Sequence, residues 1–202
     1  MTSYHHGNLR EELIRTGVQL ARESGPSGVV LREVARRAGV SHNAAYRHFA
    51  DRDELLAEVA QVGLQELASA MSARVARLRG SDARLRSLKR LREVGKAYVI
   101  YAFDQPGLFA AAFATSQHPD PGETPGPYEM LGSALNEMVA TGAMAPGRRL
   151  AADVECWSAV HGFAVLHLDG PLRVVPAAQR DRHLELMLDS ILVGLTAAPA
   201  AP

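Results

Sequence analysis

The chain has 202 residues, of which 47% are apolar and 22% are charged, and it has no net charge at pH 7. This is the balance of an ordinary soluble globular protein with enough material for a hydrophobic core, and it excludes a polycation. Residues 1–52 carry eight arginines and five acidic residues, a net charge of +3, whereas the remainder has a net charge of −3. This uneven distribution indicates that the first quarter of the chain meets an anionic partner.

Cysteine content and the first residues indicate where the protein resides. Cys156 is the single cysteine, so an intramolecular disulfide is impossible and a reducing compartment is expected. The start, MTSYHHGNLREEL, is charged and lacks the apolar segment of a signal peptide. No apolar stretch approaches the roughly 20 residues that span a bilayer. We therefore expect a soluble, cytoplasmic protein without a membrane partner.

The pattern of apolar residues predicts an all-α fold. Ala, Leu, Arg and Glu dominate and alternating β-branched runs are absent, which favours helices over strands. Glycine and proline breaks divide the chain into nine predicted helices. Their approximate bounds are 9–24, 31–38, 41–49, 51–80, 83–104, 107–114, 128–141, 148–168 and 177–197. The proline-rich stretch 115–127 is predicted to be a loop, and the basic first half of the fifth helix is interpreted as a solvated face.

The sequence LREVARRAGVSHNAAYRHF predicts a helix-turn-helix. A helix of about eight residues is followed by a break at Gly39, which can adopt positive φ, and by a second helix that Ser41 can cap. Small alanines in the apolar seam let the two helices cross closely. The seam consists of Val34, Ala35, Ala38, Val40 and Ala45.

The second helix of such a motif enters the major groove with its N-terminal residues toward the base edges. We therefore expect Asn43 to pair with adenine and Ala44 to contact a thymine methyl group. Tyr46, Arg47 and His48 are expected to bond phosphates, which position the helix without reading sequence. The predicted DNA-contacting residues are Arg32, Arg36, Ser41, His42, Asn43, Ala44, Tyr46, Arg47, His48 and Arg52.

The longer stretch LREVARRAGVSHNAAYRHFADRDELL resembles the DNA-binding domain of the TetR family of bacterial transcriptional regulators. The positions that match the family pattern are Gly39, Val40, Ser41, Tyr46, His48, Phe49, Arg52, Leu55 and Leu56. Farther on, CWSAVHGFAVLHLDG resembles the Trp-x-x-x-His-Gly segment of one branch of the family's C-terminal domains. The chain departs from the pattern before its second helix, where Val29-Val30-Leu31 replaces a Ser or Thr cap. Because a lost cap costs about 1 kcal/mol, packing is expected to hold that end.

The resemblance implies a nine-helix fold with two domains: a helix-turn-helix DNA-binding domain at 1–52 and a helical effector-binding and dimerisation domain at 53–198. Helices five to eight would enclose a pocket for an unknown small-molecule effector, and the last two helices would form a homodimer. The expected pocket residues are Tyr98, Tyr101, Phe103, Phe109, Phe113, Trp157 and His161. The expected dimer residues are Val165, Leu184, Met187, Leu188, Ile191, Leu192 and Leu195. No cofactor is expected.

The implied function is transcriptional regulation. The protein would be a repressor that binds a palindromic operator in double-stranded DNA and is released by its effector, although an activator fits the sequence as well. A DNA-binding regulator without a ligand remains an alternative. The body of about 140 residues exceeds what dimerisation requires, which favours a sensing role.

Two further alternatives are less compatible with the residues. An enzyme is disfavoured because Walker, dinucleotide-binding, H-E-x-x-H and G-x-S-x-G motifs are absent. Cys156 and His161, five residues apart on one helix, point in different directions and do not form a nucleophile–base pair. A metal sensor would rely on weak ligands such as His118 and Asp120 in the loop, so no metal site is expected.

Overall fold

The computed structural model describes residues 9–115 and 125–197, which contain nine α-helices, one 3₁₀ turn and no strand. The predicted all-α fold is confirmed. The helices are α1 (Leu9–Gly28), α2 (Leu31–Arg37), α3 (His42–Tyr46), α4 (Arg52–Val75), α5 (Ala83–Asp104), α6 (Pro106–Ala112), α7 (Pro127–Ala140), α8 (Arg149–Leu168) and α9 (Ala177–Thr196). None of these helices combines the length and the apolarity needed to cross a bilayer.

Most predicted helix bounds agree with the structure within one or two residues, and α5 begins and ends at the predicted residues. The break predicted after Ser24 is present, because Gly25 has φ 66° and interrupts α1. Two helices are shorter than predicted. After α3, the amides of His48 and Phe49 both bond to the carbonyl oxygen of Ala45 and form a turn. After α4, residues 76 and 77 also form a turn, and Gly80 follows with φ 127°.

The predicted loop 115–127 lies largely outside the described residues. His118 and Asp120, the weak metal ligands considered from the sequence, lie outside them as well.

The described chain divides into two compact units. The first holds α1 to α3, α4 as far as Glu66, and α6. Its core includes the fully buried side chains of Leu13, Phe49, Leu55 and Leu108. Close packing of α6 on α1 requires Gly107, since an added Cβ atom there would lie 2.2 Å from the carbonyl oxygen of Ala21.

The second unit holds α4 from Leu67 onward, α5, α7, α8 and α9. Helix α5 packs against α7, α8 and α9. In its basic first half, Arg90 pairs with Glu137 of α7, and Arg92 and Lys96 pair with Glu185 of α9. The other three cations, Arg84, Arg86 and Lys89, are exposed. The interpretation as a solvated face therefore holds only for those three, because the sequence does not show which helices stand next to α5.

The packing units do not follow the chain in two consecutive segments. The division of α4 falls after Glu66, and α6 returns to the first unit. The boundary expected at residues 52 and 53 concerns function rather than packing, and it stays a prediction.

Candidate functional site

The turn between α2 and α3 is fixed by backbone hydrogen bonds. Gly39 has φ 70°, and its N–H donates to the carbonyl oxygen of Arg36 at 3.3 Å. The N–H of Val40 donates to the carbonyl oxygen of Ala35 at 3.0 Å. These two bonds define the glycine-terminated helix end known as a Schellman motif. On its far side, the Ser41 hydroxyl caps α3 by accepting the N–H of Ala44 at 3.2 Å.

The two helices cross closely because Ala35 and Ala45 are small and buried. Val34 and Phe49 are fully buried beside them. The helix-turn-helix predicted from the sequence is therefore confirmed, including the glycine turn and the serine cap.

The outer face of α3 is polar and accessible. His42, Asn43, Tyr46 and Arg47 are exposed, and Ala44 is half-buried. The rings of His42 and Tyr46 meet edge to face with centroids 4.6 Å apart. This contact joins residues one helical turn apart and restricts the Tyr46 ring, although Tyr46 stays 47% exposed.

An open groove of about 390 Å³ runs beside α3. It is lined by Leu9, Gly39, Val40, Ser41, Ala44, Arg47 and His48. Four of these seven residues, Ser41, Ala44, Arg47 and His48, are predicted DNA contacts, so the structure brings these four together along one concave surface.

Arg36, one of the two predicted DNA-contacting cations of α2, already forms an ion pair. Arg36 forms two hydrogen bonds of 2.7 Å with Glu33. Arg37, which the sequence did not single out, pairs with Glu23 and Glu33. Hydrogen bonds from Arg36 and then Arg37 lower the pKa of Glu33 to about 2. A phosphate that approaches Arg36 must therefore compete with a carboxylate already in place.

Arg52 has a structural role that sequence reasoning missed. Its Nη2 atom donates to the carbonyl oxygen of Pro26 at 2.6 Å, and its Nε atom donates to that of Val29 at 2.9 Å. These carbonyls belong to the segment that enters α2, whose N-cap residue Val30 supplies no side-chain cap. Val29 and Leu31 are buried, which confirms that packing holds this end, and Arg52 adds two hydrogen bonds to it.

The second unit contains an apolar cavity with a volume of about 30 Å³. Its walls come from the end of α4 and from α5, α7, α8 and α9. The lining residues are Met71, Leu91, Arg92, Val94, Gly95, Tyr98, Pro127, Leu131, Cys156, Trp157, Val160, Leu188, Ile191 and Leu192.

Two of the seven predicted pocket residues, Tyr98 and Trp157, line this cavity. His161 is not among the lining residues, but its Nδ1 atom lies 2.8 Å from the hydroxyl of the lining residue Tyr98. Tyr101 is buried in the core, and the Phe103 ring packs under the guanidinium of Arg180. The other two, Phe109 and Phe113, contact each other in the first unit.

Burial favours the neutral form of three ionisable groups at the cavity, Tyr98, His161 and Cys156. It raises the pKa of Tyr98 above its usual range and lowers that of His161. Burial also raises the pKa of the Cys156 thiol to about 12, with smaller contributions from Glu155 and Asp153. A thiol that stays protonated is a poor nucleophile, and no group of three potential metal ligands occurs in residues 9–115 and 125–197.

Three of the predicted dimer residues have little surface left for a partner. Leu184, Leu188 and Leu195 are buried inside the protomer because they form the face of α9 that packs on its own unit. Met187, Ile191 and Leu192 are half-buried, and Val165 is exposed. Other apolar side chains of α8 and α9 are more exposed. They are Leu150, Val154, Leu166, Leu186 and Val193.

Comparison with known sequences identifies both parts of the chain. Residues 13–59 match the family described as bacterial regulatory proteins, tetR family. Residues 91–191, half of the chain, match the C-terminal domain described as tetracyclin repressor-like. No match was found among curated proteins.

Solved structures with the same fold cover nearly the whole chain. A protein of unknown function from Rhodococcus sp. RHA1 has 28% identity and a TM-score of 0.72, and the match covers 98% of this chain and 100% of that one. The TetR family transcriptional regulator PfmR from Thermus thermophilus has 20% identity and a TM-score of 0.60, with coverage of 91% and 98%. A TetR variant from Acinetobacter baumannii AYE, in complex with minocycline, has 18% identity and a TM-score of 0.64, with coverage of 95% and 97%.

The helix-turn-helix and the family matches over residues 13–59 and 91–191 thus lead to one conclusion. The chain belongs to the TetR family of bacterial regulatory proteins and is a DNA-binding transcription regulator.

Proposed function

We propose that the protein is a repressor that binds a palindromic operator as a homodimer and releases it when a small-molecule effector enters the cavity of the second unit. The observation that carries the proposal is the exposed start of α3, held in place by the Schellman turn and the Ser41 cap. Bound to an operator, such a protein would block polymerase, which favours repression over activation. Its site of action would be the cytoplasm, where bacterial DNA lies.

The exposed residues of α3 have distinct proposed roles. Asn43 and Ala44 read base edges, with His42 beside them. Tyr46 and Arg47 bond phosphates. The remaining proposed phosphate contacts lie around α3. They are Arg32, Arg36, Ser41, His48 and Arg52.

Arg52 serves the site in a second way. Since two of its donors already bond backbone carbonyls of the segment entering α2, we assign it mainly to positioning α2 under α3. Any phosphate contact would use the part of the guanidinium that now pairs with Asp53.

The homodimer is proposed to form through the exposed apolar surface of α8 and α9. Val154, Val165, Leu166, Leu186 and Val193 offer aliphatic side chains that a second copy would bury. A twofold dimer places its two recognition helices about 34 Å apart, one turn of DNA. This arrangement is the reason for expecting a palindromic operator.

Effector release is proposed to act through α4. This helix supplies Leu55 and Val59 to the core of the first unit and Met71 to the wall of the cavity. A ligand that displaces Met71 therefore acts on the helix whose first residue, Arg52, holds the entry to α2. The ligand must bind the two conformations with different affinity, or the equilibrium does not shift. The minocycline complex of a protein with this fold supports a ligand site within the fold.

The alternative, a regulator without a ligand, is favoured by one observation. The cavity volume of about 30 Å³ leaves room for only a few water molecules. Side chains of the wall must move before an effector can enter.

Selection of bound duplexes from a random pool, at near-physiological salt, tests the proposal. Salt is fixed because DNA affinity depends steeply on it. We expect enrichment of a palindrome whose half-sites lie about one helical turn apart. A single unpaired half-site would contradict the dimer. Absence of any motif, with protein unfolded and refolded to strip bound ligand, would contradict sequence-specific regulation.

A further inference from the structure

We propose that the cavity of the second unit accepts an uncharged, largely apolar ligand and discriminates against carboxylates and ammonium ions. The inference rests on the proposed function in one respect: this ligand would be the effector that releases the operator. The chemical class follows from what the wall offers and from how its polar groups are already engaged.

The wall is almost entirely hydrocarbon and sulfur. Eleven of the fourteen lining residues have side chains without nitrogen or oxygen. The remaining three are Arg92, Tyr98 and Trp157. A ligand in this space gains free energy mainly by leaving water, and a charged group loses its hydration without compensation.

Arg92 is the one charged lining residue, and its charge is already balanced. Its Nη2 atom lies 2.6 Å from Glu185, and its Nη1 atom bonds Asp189. Glu185 also pairs with Lys96. A ligand carboxylate would have to displace these acidic partners from Arg92, and a ligand ammonium would stand near a guanidinium.

Tyr98 and Trp157, the other two lining residues with hydrogen-bonding atoms, carry no charge at neutral pH. The Tyr98 hydroxyl bonds the Nδ1 atom of His161 at 2.8 Å. Because burial raises the pKa of Tyr98 and lowers that of His161, the pair is neutral. A hydroxyl or carbonyl on an apolar ligand matches this polarity, whereas a full charge does not.

Gly95 preserves the free space of the cavity. A Cβ atom added at Gly95 would lie 3.0 Å from Cδ2 of Leu188 and 3.4 Å from Cγ1 of Val160. Both neighbours also line the cavity, so an alanine methyl group would press on its wall and compete with a ligand for volume. Gly162 on α8 provides a matched control, because nothing lies within 4 Å of an added Cβ atom there.

The experiment uses three unbranched probes with six carbon atoms each: hexan-1-ol, hexanoate and hexylammonium at pH 7. Trp157 is the single tryptophan of the chain and lines the cavity, so its fluorescence reports occupancy. We expect a saturable change with hexan-1-ol, at least about tenfold weaker binding of both ions, and loss of most hexan-1-ol affinity in Gly95→Ala but not in Gly162→Ala.

The proposal is overturned if either ion binds as well as the alcohol, if hexan-1-ol gives no saturable change, or if folded Gly95→Ala binds like Gly162→Ala. Should Gly95→Ala fail to fold by circular dichroism, Leu192→Phe fills the same cavity from α9 and takes its place.

A parallel operator-binding assay separates this inference from the proposed function. Hexan-1-ol that binds the cavity without weakening operator binding would contradict effector release and leave the preference of the cavity intact. Normal operator binding by a protein whose cavity prefers an ion would contradict the inference alone.

Discussion

The Nε atom of Arg52 donates a hydrogen bond to the carbonyl oxygen of Val29, 23 residues earlier, at a distance of 2.9 Å. A second bond joins its Nη2 atom to the carbonyl oxygen of Pro26 at 2.6 Å. A lysine keeps the charge but cannot reproduce two planar donors. We therefore expect Arg52→Lys to lower the free energy of unfolding by about 1 kcal/mol, as measured by urea denaturation.

Arg32→Lys is the control for Arg52→Lys, because Arg32 is an exposed cation of α2 with a proposed phosphate role. It should leave stability unchanged. If both substitutions weaken DNA binding equally and neither changes stability, Arg52 is a phosphate contact rather than a positioning residue.

Asn43 and Tyr46 should affect DNA binding in different ways. Asn43→Ala removes a proposed pair of hydrogen bonds with adenine. We therefore expect the DNA-binding free energy to weaken by about 1–3 kcal/mol, but only on duplexes that carry the preferred base at one position. The measurement is binding to an operator and to its single-base variants. An unchanged base preference would show that the placement of α3 in the groove is incorrect.

Tyr46→Phe is expected to weaken binding about equally on all of these duplexes. The ring contact with His42 remains, and the hydroxyl proposed to bond a phosphate is lost. A change in base preference for this variant would assign Tyr46 to base readout instead.

Local signals in the sequence were sufficient to predict the helices of the described residues and the turn, although α3 and α4 end earlier than predicted. Gly39 and Ser41 identify the turn because its geometry depends on residues next to each other in the chain. The cavity was harder to predict, since its walls join residues from Met71 to Leu192. Periodicity shows that Leu188 is apolar, but it does not distinguish the face of α9 that packs inside the protomer from the face left exposed. For the same reason, the chain order does not show that Arg92 meets Asp189.

Gly107 is predicted to be intolerant of substitution. In Gly107→Ala the added Cβ atom would lie 2.2 Å from the carbonyl oxygen of Ala21 and 2.9 Å from that of Arg22. Backbone atoms cannot move aside as a flexible side chain does. We therefore expect the free energy of unfolding to fall by at least about 1–3 kcal/mol. Denaturant unfolding measures it, and Gly162→Ala is the control because its methyl group meets open space. Equal stability of the two variants would contradict the close packing of α6 on α1.

The ion pairs that Glu185 forms with Arg92 and Lys96 are expected to make the stability of the protein depend on pH. Hydrogen bonds from Lys96 and then Arg92 lower the pKa of Glu185 from the usual 4.5. A carboxyl group with a lowered folded-state pKa stabilises the protein above its unfolded-state pKa, and that contribution disappears as the pH falls through the folded-state pKa. We therefore expect the Tm of the wild type to exceed that of Glu185→Gln at pH 7, with a difference that shrinks below about pH 4.5.

The test is thermal unfolding of both proteins from pH 7 to pH 3. Glu12→Gln is a matched control, since Glu12 has a lowered pKa caused by Arg15 on its own helix. An exposed pair three residues apart contributes little, so its removal should change the Tm less. A difference between wild type and Glu185→Gln that is constant with pH would exclude the ion pair as its cause.

A substitution at the exposed residue Val193 tests the proposed homodimer directly. Val193 lies on α9 and is 68% exposed, whereas Leu188 and Leu195 on the inner face are 4% and 1% exposed. An aspartate at position 193 would place a charge in the proposed apolar interface without disturbing the core of the protomer, so we expect Val193→Asp to be a folded monomer. Sedimentation equilibrium measures the mass.

Leu85→Asp, on α5, is the control, because Leu85 is also exposed at 47% and lies outside α8 and α9. Since two half-sites bind cooperatively only through a dimer, Val193→Asp should also lose most of its operator affinity while Leu85→Asp keeps it. A dimeric Val193→Asp would place the interface on another surface.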